Sequence, residues 1–340
     1  GMAWIADASL AAAVSEAGGL GIIAAMNANA EWLRDQIHQL REKTDKPFGV
    51  NVMLMSPFAD EVAQVVAEEH VPVAVTGAGN PAKYMELWKQ AGVKVVPVVA
   101  SVALAKLMER LGATAVVAEG TESGGHIGEL TTMTLVPQVV DAVKIPVLAA
   151  GGIADGRGVA AAFMLGAQGV QVGTRFLVAK ECTVSQEYKD RVLKARDLST
   201  TVTGRRTGHP IRCLKSPFTQ NYAAIEKAAE SDEELHGLSA GALRKAAQDG
   251  HGFGDSGRAA GRKHRHDDHS LKTKKPLPDK RQEAASEKRE SDLVLADALR
   301  HILRVLAEAD DQIALGVGHQ TLKLREEIHQ LGRFGLRQLE

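Results

Sequence analysis

Two glycine-rich segments of the chain have the composition of a phosphate-binding site. Residues 150–153 read Ala-Gly-Gly-Ile, residues 173–176 read Gly-Thr-Arg-Phe, and each segment directly follows an apolar run. Glycines allow backbone N–H groups to approach an anion closely, and the hydroxyl of Thr174 would add a further donor. One such segment alone predicts only a turn after a strand. Two of them after neighbouring strands favour a single phosphate site built from both.

A single imidazole lies between glycines in a polar segment. Residues 118–128 read Ala-Glu-Gly-Thr-Glu-Ser-Gly-Gly-His-Ile-Gly, so His126 would reach a ligand without obstruction from its neighbours. Histidine has an ordinary pKa of about 6.5, so it can exchange protons at working pH, as acid or base catalysis requires. The same residue could instead be a surface histidine or a hydrogen-bonded structural group. The residues alone leave both roles open.

Two further segments offer polar groups at the ends of apolar runs. Asn51 ends one such run, where its amide could hydrogen-bond a flat heterocycle or cap the next segment. Thr76 begins a glycine-rich stretch, residues 76–81 (Thr-Gly-Ala-Gly-Asn-Pro), which is also typical of an ordinary turn closed by proline. Both readings of each segment stay open at this level.

These residues lie in a regular alternation of short apolar runs and helix-like stretches. The run 95–99 is apolar throughout, which is typical of a strand covered on both faces, and such strands belong to parallel sheets flanked by helices. The alternation therefore predicts an α/β protein. The predicted strands are residues 19–23, 48–53, 71–76, 93–99, 115–118, 146–150 and 169–172. The predicted helices are residues 6–17, 31–41, 59–69, 83–91, 103–111, 135–143 and 158–165.

The arrangement favours a TIM (β/α)8 barrel over a doubly wound sheet. A doubly wound sheet usually has Gly-x-Gly-x-x-Gly after its first strand, and this chain has no such motif there. A barrel closes with eight strands, whereas this chain offers seven and begins with a predicted helix. We therefore expect the first barrel strand to be absent from this chain. The two glycine-rich segments then follow the seventh and eighth barrel strands, where barrel enzymes commonly bind phosphate.

Composition excludes several classes of partner. The formal net charge of −1 gives no reason to expect nucleic acid or a membrane surface as a partner. The only cysteines, Cys182 and Cys213, are too few for a disulfide framework and have no metal-ligand spacing, so we expect free thiols and no metal. No apolar run is long enough to span a membrane, and the first residues lack the basic region of a signal peptide. We expect a cytoplasmic protein.

Taken together, the motifs resemble the nitronate monooxygenase-like flavoproteins, and most closely their branch of FMN-dependent enoyl-acyl-carrier-protein reductases. The resemblance covers roughly residues 1–250 and includes many motifs in the same order. The motifs are residues 1–4 (Gly-Met-Ala-Trp), 49–51 (Gly-Val-Asn), 76–81, 118–120 (Ala-Glu-Gly), 124–128 (Gly-Gly-His-Ile-Gly), 150–153 and 173–176.

The resemblance implies FMN as the cofactor and NADH or NADPH as its reductant. It implies that His126 is the catalytic histidine and that the substrate is an enoyl thioester on acyl carrier protein, reduced at its 2,3-double bond in fatty acid synthesis. A homodimer is the implied assembly. The residues implied to bind the cofactor are Met2, Ala3, Asn51, Thr76, Glu119, Gly124, Gly125, Gly151, Gly152, Gly173 and Thr174.

Two alternatives to the reductase remain. In a nitronate monooxygenase, the same histidine would abstract the α-proton of a nitroalkane, and oxygen would be the electron acceptor. In a non-enzymatic protein, the barrel would bind a phosphorylated ligand in order to sense it, although the chain shows no separate effector module.

The chain departs from the family at both ends of the resemblance. The family's first strand ends in Gln-Gly-Gly-Met, of which only Gly1-Met2 is present, so we expect weaker core closure and weaker flavin binding. Near residue 250, the family usually has Gly-Ser-x-x-Ala-Gly-Gln, and this chain instead reads His-Gly-Phe-Gly-Asp-Ser-Gly over residues 251–257.

The last 90 residues have a different composition from the barrel. Residues 251–290 contain 11 Lys or Arg, four His and seven apolar residues, which predicts a basic, disordered segment. A metal site at His264, His266 and His269 is disfavoured because no cysteine or structured helix is nearby. Residues 291–340 regain apolar residues at helical spacing, which predicts an amphipathic helical tail. The abrupt change suggests the hypothesis that the sequence after Gly250 is not native to this fold.

Overall fold

The computed structural model describes residues 1–228 together with Leu235 and Ala247. The strands are β1 Gly21–Ala24, β2 Phe48–Met53, β3 Val73–Gly77, β4 Lys94–Val99, β5 Val116–Glu119, β6 Gly125–His126, β7 Val147–Ala150, β8 Gly169–Gln171, β9 Thr200–Thr203 and β10 Ile211–Leu214. The helices are α1 Ala8–Glu16, α2 Ala30–Lys43, α3 Ala59–Glu68, α4 Ala82–Gln90, α5 Val102–Arg110, α6 Thr132–Ala142, α7 Gly156–Met164, α8 Thr174–Leu177, α9 Gln186–Lys194 and α10 Pro217–Ala228.

Seven strands form one parallel sheet with a helix after almost every strand. Its order is β1-β2-β3-β4-β5-β7-β8, and every neighbouring pair is parallel. All seven predicted strands and all seven predicted helices are present within a few residues of their expected bounds. The prediction of a TIM-type barrel that lacks one strand is confirmed.

The core lies on both faces of this sheet, as the apolar strands require. Between strands and helices, one cluster includes Val50, Val52 and the fully buried Trp88, whose Nε1 donates a hydrogen bond to the Ala63 carbonyl at 3.0 Å. On the inner face, Val75, Val96 and Val117 and their neighbours pack together. β-branched side chains suit such a pleated surface, which explains why short runs of valine form these strands.

Among the described residues, strands β1 and β8 each pair on one side only. Other segments cover the gap between them at the carboxyl ends of the strands. Ile5 and Leu10 from the start of the chain form a cluster with Leu177, Cys182 and Val184. The hydroxyl of Thr183 donates to Asp7 Oδ2 at 2.6 Å. Chain segments that follow β8 therefore pack on chain segments that precede β1.

A second, antiparallel sheet was not expected from the sequence. Strands β9 and β10 form a hairpin, and β10 also pairs with the two-residue strand β6. His126 therefore lies in a two-residue strand, which the sequence of residues 118–128 did not predict. Helices α8, α9 and α10 were also missed.

The remaining expectations concern membrane-spanning helices, the two cysteines and residues 251–340. Within residues 1–228, no helix combines the length and the apolar character that crossing a membrane needs. Cys182 and Cys213 are both free thiols. The predictions of a disordered segment over 251–290, of a helical tail over 291–340, and those for His264, His266 and His269 lie outside the described residues.

Gly21 in β1 offers a test of how tightly α1 packs on the sheet. A Cβ atom on Gly21 would lie 1.8 Å from the Ala11 carbonyl oxygen, which is impossible without moving the helix. We predict that Gly21→Ala lowers the free energy of unfolding by about 1–3 kcal/mol. Gly77→Ala is the control, because a Cβ there would meet nothing within 4 Å. Chemical denaturation of the full chain measures both, and equal stability of the two variants would contradict this packing.

Candidate functional site

The carboxyl ends of the parallel strands bring several polar side chains to one side of the sheet. Asn51 lies near the end of β2, while Glu119 and Gln171 end β5 and β8. The Nε2 atom of Gln171 lies 3.5 Å from Oε2 of Glu119. Residues 52 positions apart in the sequence thus meet because their strands flank β7.

The first residues of the chain cross this end of the sheet. A Cβ on Gly1 would lie 2.7 Å from Oδ1 of Asn51, and a Cβ on Gly173 would lie 3.6 Å from Sδ of Met2. Met2 thus connects the end of β2 with the loop after β8, and Ala3 beside it is only 7% exposed. The structure therefore brings Met2, Asn51 and Gly173 together, as the sequence predicts.

The loop after β7 has a backbone that glycine accommodates better than other residues. Gly151 and Gly152 have φ angles of +99° and +72°, in the left-handed region. A Cβ on Gly151 would also lie 2.8 Å from the Gly120 carbonyl oxygen. A Cβ on Gly124 would lie 3.8 Å from the Thr174 hydroxyl, and a Cβ on Gly125 would meet nothing within 4 Å. Gly124 therefore lies close to the Thr174 hydroxyl.

A carboxylate and a hydroxyl hold this loop in place. Glu122 accepts hydrogen bonds from the backbone N–H of Thr132 at 2.9 and 3.1 Å, at the N-terminus of α6. The Thr132 hydroxyl lies 2.9 Å from the Gly151 carbonyl oxygen and 3.0 Å from Glu122 Oε2. Sequence reasoning missed both residues, because Glu122 lies ten positions before Thr132 and no local capping pattern connects them.

The β9–β10 hairpin holds the segment that contains His126. Ile211 of β10 is paired with His126, and the N–H of Ile127 donates to the Pro210 carbonyl at 3.0 Å. The guanidinium of Arg212 donates to the Thr121 carbonyl at 3.0 Å. Backbone and side-chain bonds thus fix His126 from a part of the chain more than 80 residues away.

His126 also has an aromatic neighbour from the same hairpin. The ring centroids of His126 and His209 are 6.5 Å apart, and the rings are nearly perpendicular at 85°. Partial burial lowers the pKa of His126, and the charge of His209 lowers it further. A lowered pKa favours the neutral imidazole at neutral pH, so His126 can accept a proton there, and its imidazolium is a stronger acid than free histidine.

Asn51, Thr76 and Glu119 are more buried than His126, whereas Gly124, Gly125, Gly152 and Thr174 are exposed. Burial raises the pKa of Glu119. Asn51 is 4% exposed and Thr76 only 1% exposed. A direct contact between Thr76 and a ligand stays a prediction. Among residues 1–228, no group of three acidic, histidine or cysteine side chains is placed to hold a metal ion.

Comparison with known proteins identifies several related oxidoreductases. The family model described as nitronate monooxygenase matches residues 1–64 and 56–274. The solved structure of FabK from Thermotoga maritima is 53% identical with a TM-score of 0.73, and the match covers 75% of this chain and 81% of that one.

Curated relatives have two different names. A (3aS,4S,5R,7aS)-5-hydroxy-7a-methyl-1-oxo-octahydro-1H-indene-4-carboxyl-CoA dehydrogenase of Mycobacterium tuberculosis is 39% identical over 251 residues, covering 73% of this chain and 68% of that protein. The chain spans 63% of a Rhodococcus jostii relative of the same name, at 40% identity over 65% of this chain. A probable nitronate monooxygenase of Staphylococcus aureus is 34% identical over 272 residues, covering 66% of this chain and 77% of that protein.

We expect the hydroxyl of Thr132 to stabilise the glycine loop of residues 150–153. We predict that Thr132→Val, which keeps the shape but removes the hydroxyl, lowers the free energy of unfolding by about 1–2 kcal/mol. Amide hydrogen exchange of residues 150–153 should accelerate at the same time. Thr134→Val is the matched control, because that hydroxyl is exposed and bonds only within the first turn of α6. Equal exchange in both variants would show that Thr132 does not hold the loop.

Proposed function

This chain belongs to the nitronate monooxygenase family, and we propose that within it the chain is an FMN-dependent enoyl-acyl-carrier-protein reductase. The observation that carries this proposal is the 53% identity with FabK, an enoyl-acyl-carrier-protein reductase. The probable nitronate monooxygenase is only 34% identical. The dehydrogenase relatives are named for a coenzyme A substrate, which is an acyl thioester as well. Thioester chemistry is thus the best-supported choice.

The residues at the carboxyl ends of the strands fit FMN. Gly151 and Gly152 have left-handed φ angles after β7, and Gly173 and Thr174 follow β8 at the same end of the sheet. Backbone N–H groups in such turns, together with a hydroxyl, suit one phosphate. We assign the phosphate to Gly151, Gly152, Gly173 and Thr174. We assign the ring and its surroundings to Met2, Ala3, Asn51, Thr76, Glu119, Gly124 and Gly125.

His126 is the proposed proton carrier at this site. Bound FMN would supply hydride transfer from NADH or NADPH to the β-carbon of the enoyl thioester. The α-carbon must then gain a proton, which His126 would hold and deliver. The lowered pKa of His126 makes its imidazolium a stronger acid, although a smaller fraction of it is protonated at pH 7. The protein otherwise positions the thioester and stabilises its enolate.

Nitronate monooxygenase activity is the second candidate, and one observation favours it. The lowered pKa of His126 increases the fraction of neutral imidazole, which is the form that could abstract the α-proton of a nitroalkane. The two candidates therefore need opposite protonation states of the same side chain. We do not retain the ligand-sensing barrel, because the family consists of oxidoreductases.

The rest of the assembly is proposed on the same basis. We propose residues 1–250 as the flavin-binding domain, a cytoplasmic location, acyl carrier protein as the carrier of the substrate, and a homodimer as the assembly. We propose no nucleic acid or membrane partner.

Reoxidation of the reduced flavin distinguishes the two candidates. The full chain, loaded with FMN, is reduced by NADH or NADPH without oxygen and then mixed with either crotonyl thioester or a nitroalkane. We predict that crotonyl thioester restores the oxidised flavin absorbance and is converted to butyryl thioester. Butyryl thioester itself is the control, because it has no double bond to reduce. Turnover of the nitroalkane in air without turnover of the thioester would establish the second candidate instead.

Replacement of His126 tests its role in proton transfer. We predict that His126→Ala slows thioester turnover by about 10²-fold, the usual scale for a positioned proton donor. Reduction of the flavin by NAD(P)H should change little, since that step needs no proton from the protein. His38→Ala is the control, because His38 is 60% exposed on α2 and pairs only with Glu69.

The pH dependence of turnover shows whether His126 acts as a proton donor or as a base that abstracts a proton. A donor must be protonated, so thioester turnover should fall as the pH rises through the lowered pKa of His126. A base must be neutral, so nitroalkane oxidation should rise over the same range. Unchanged turnover in His126→Ala would return this residue to a structural role.

A further inference from the structure

The β9–β10 hairpin brings a second imidazole to the proposed site. We propose that His209 is a positioning residue for His126, and that its ring packs edge-to-face on the His126 ring and fixes the orientation of that ring. His209 lies in the turn between β9 and β10, outside all the motifs that identify the family. The expected effect of His209 on turnover rests on the proposed function, whereas its expected effect on the titration midpoint of His126 does not.

The backbone places His209 beside His126. Ile211 is the pairing partner of His126, and the Pro210 carbonyl accepts the N–H of Ile127 at 3.0 Å. His209 directly precedes Pro210, so the register of this pairing brings both imidazoles to the same end of the small sheet. Their centroid distance of 6.5 Å and edge-to-face angle of 85° are typical of a packed ring pair.

A glycine fixes the conformation of His209 within its turn. The N–H of His209 donates to the Gly204 carbonyl at 3.0 Å. Gly204 has a φ angle of +78°, and a Cβ on it would lie 2.4 Å from the His209 carbonyl oxygen. Only glycine allows this close approach. The backbone of His209 is thus fixed by a main-chain hydrogen bond that does not involve the imidazole.

Other charged groups around His126 have partners of their own. Arg205 pairs with Glu129 at 2.8 Å, Arg212 donates to the Thr121 carbonyl, and Glu122 accepts from Thr132. Arg206 contacts Glu226 through its backbone N–H and through its guanidinium. His209 is the neighbour whose charge lowers the pKa of His126, in addition to partial burial.

A positive charge on His209 makes protonation of His126 less favourable, because like charges at this distance repel each other. Replacement of His209 should therefore change the packing of the His126 ring and raise the pKa of His126 together.

Imidazole NMR titration of the full chain, without flavin or substrate, tests the pair. The resonance of His126 is assigned by its loss in His126→Ala. We expect His209→Ala to raise the titration midpoint of His126 by about 0.5 unit or more, because a like charge is removed. His209→Lys should keep the midpoint low, because it keeps a positive charge. His38→Ala should leave it unchanged.

The outcomes separate this proposal from the proposed function. An unchanged His126 midpoint in His209→Ala, or an equal shift in His38→Ala, would overturn the proposal that His209 positions His126. Circular dichroism checks that the variants fold, as expected when only an exposed side chain is removed. With the best substrate, the pH limb of kcat/KM should move with the NMR midpoint in His209→Ala. If the His126 midpoint shifts in His209→Ala but the chain turns over no substrate, the positioning role of His209 is supported and the proposed reductase function is refuted.

Discussion

The parallel pairing of seven strands is the constraint on which the candidate site depends. Parallel strands end at the same edge of a sheet, so the segments that follow them converge there whatever their distance in sequence. Glu119 and Gln171 meet in this way across β7. The unpaired edges of β1 and β8 are the weak point of such a sheet. Packing of Ile5 and Leu10 on Leu177 and Val184 covers the gap at the end where the site lies.

The loops at this end are held by a few specific polar contacts. Thr132 links the N-terminus of α6, through Glu122, to the carbonyl of Gly151, so the glycine loop keeps its left-handed conformation. The β9–β10 hairpin fixes the backbone of His126 in a similar way, because β10 pairs with the short strand that contains His126. Flexible glycines thus provide close approach to a ligand, while neighbouring hydrogen bonds remove their conformational freedom.

Local sequence signals predicted the main sheet, and long-range contacts explain what they missed. Valine runs and the helices between them reveal the strands because each pattern is contained in about ten residues. The glycines at 151 and 152 were recognisable for the same reason. Strand β6 has only two residues, and it exists because Ile211 lies opposite His126. No periodicity near His126 could reveal that pairing or His209. The Thr-Thr-Val-Thr run of β9 and the glycines at 204 and 208 were the available signals for a hairpin.

We propose that the loops after β7 and β8 bind the phosphate of a flavin mononucleotide. The most direct test is the affinity of the full chain for FMN and for riboflavin, which differ only in that phosphate, measured by quenching of flavin fluorescence. We expect FMN to bind at least about tenfold more tightly, or about 1.4 kcal/mol. This preference should shrink in Thr174→Val, which removes one hydroxyl donor. Equal affinity of the unchanged chain for FMN and riboflavin would contradict a phosphate site in these loops.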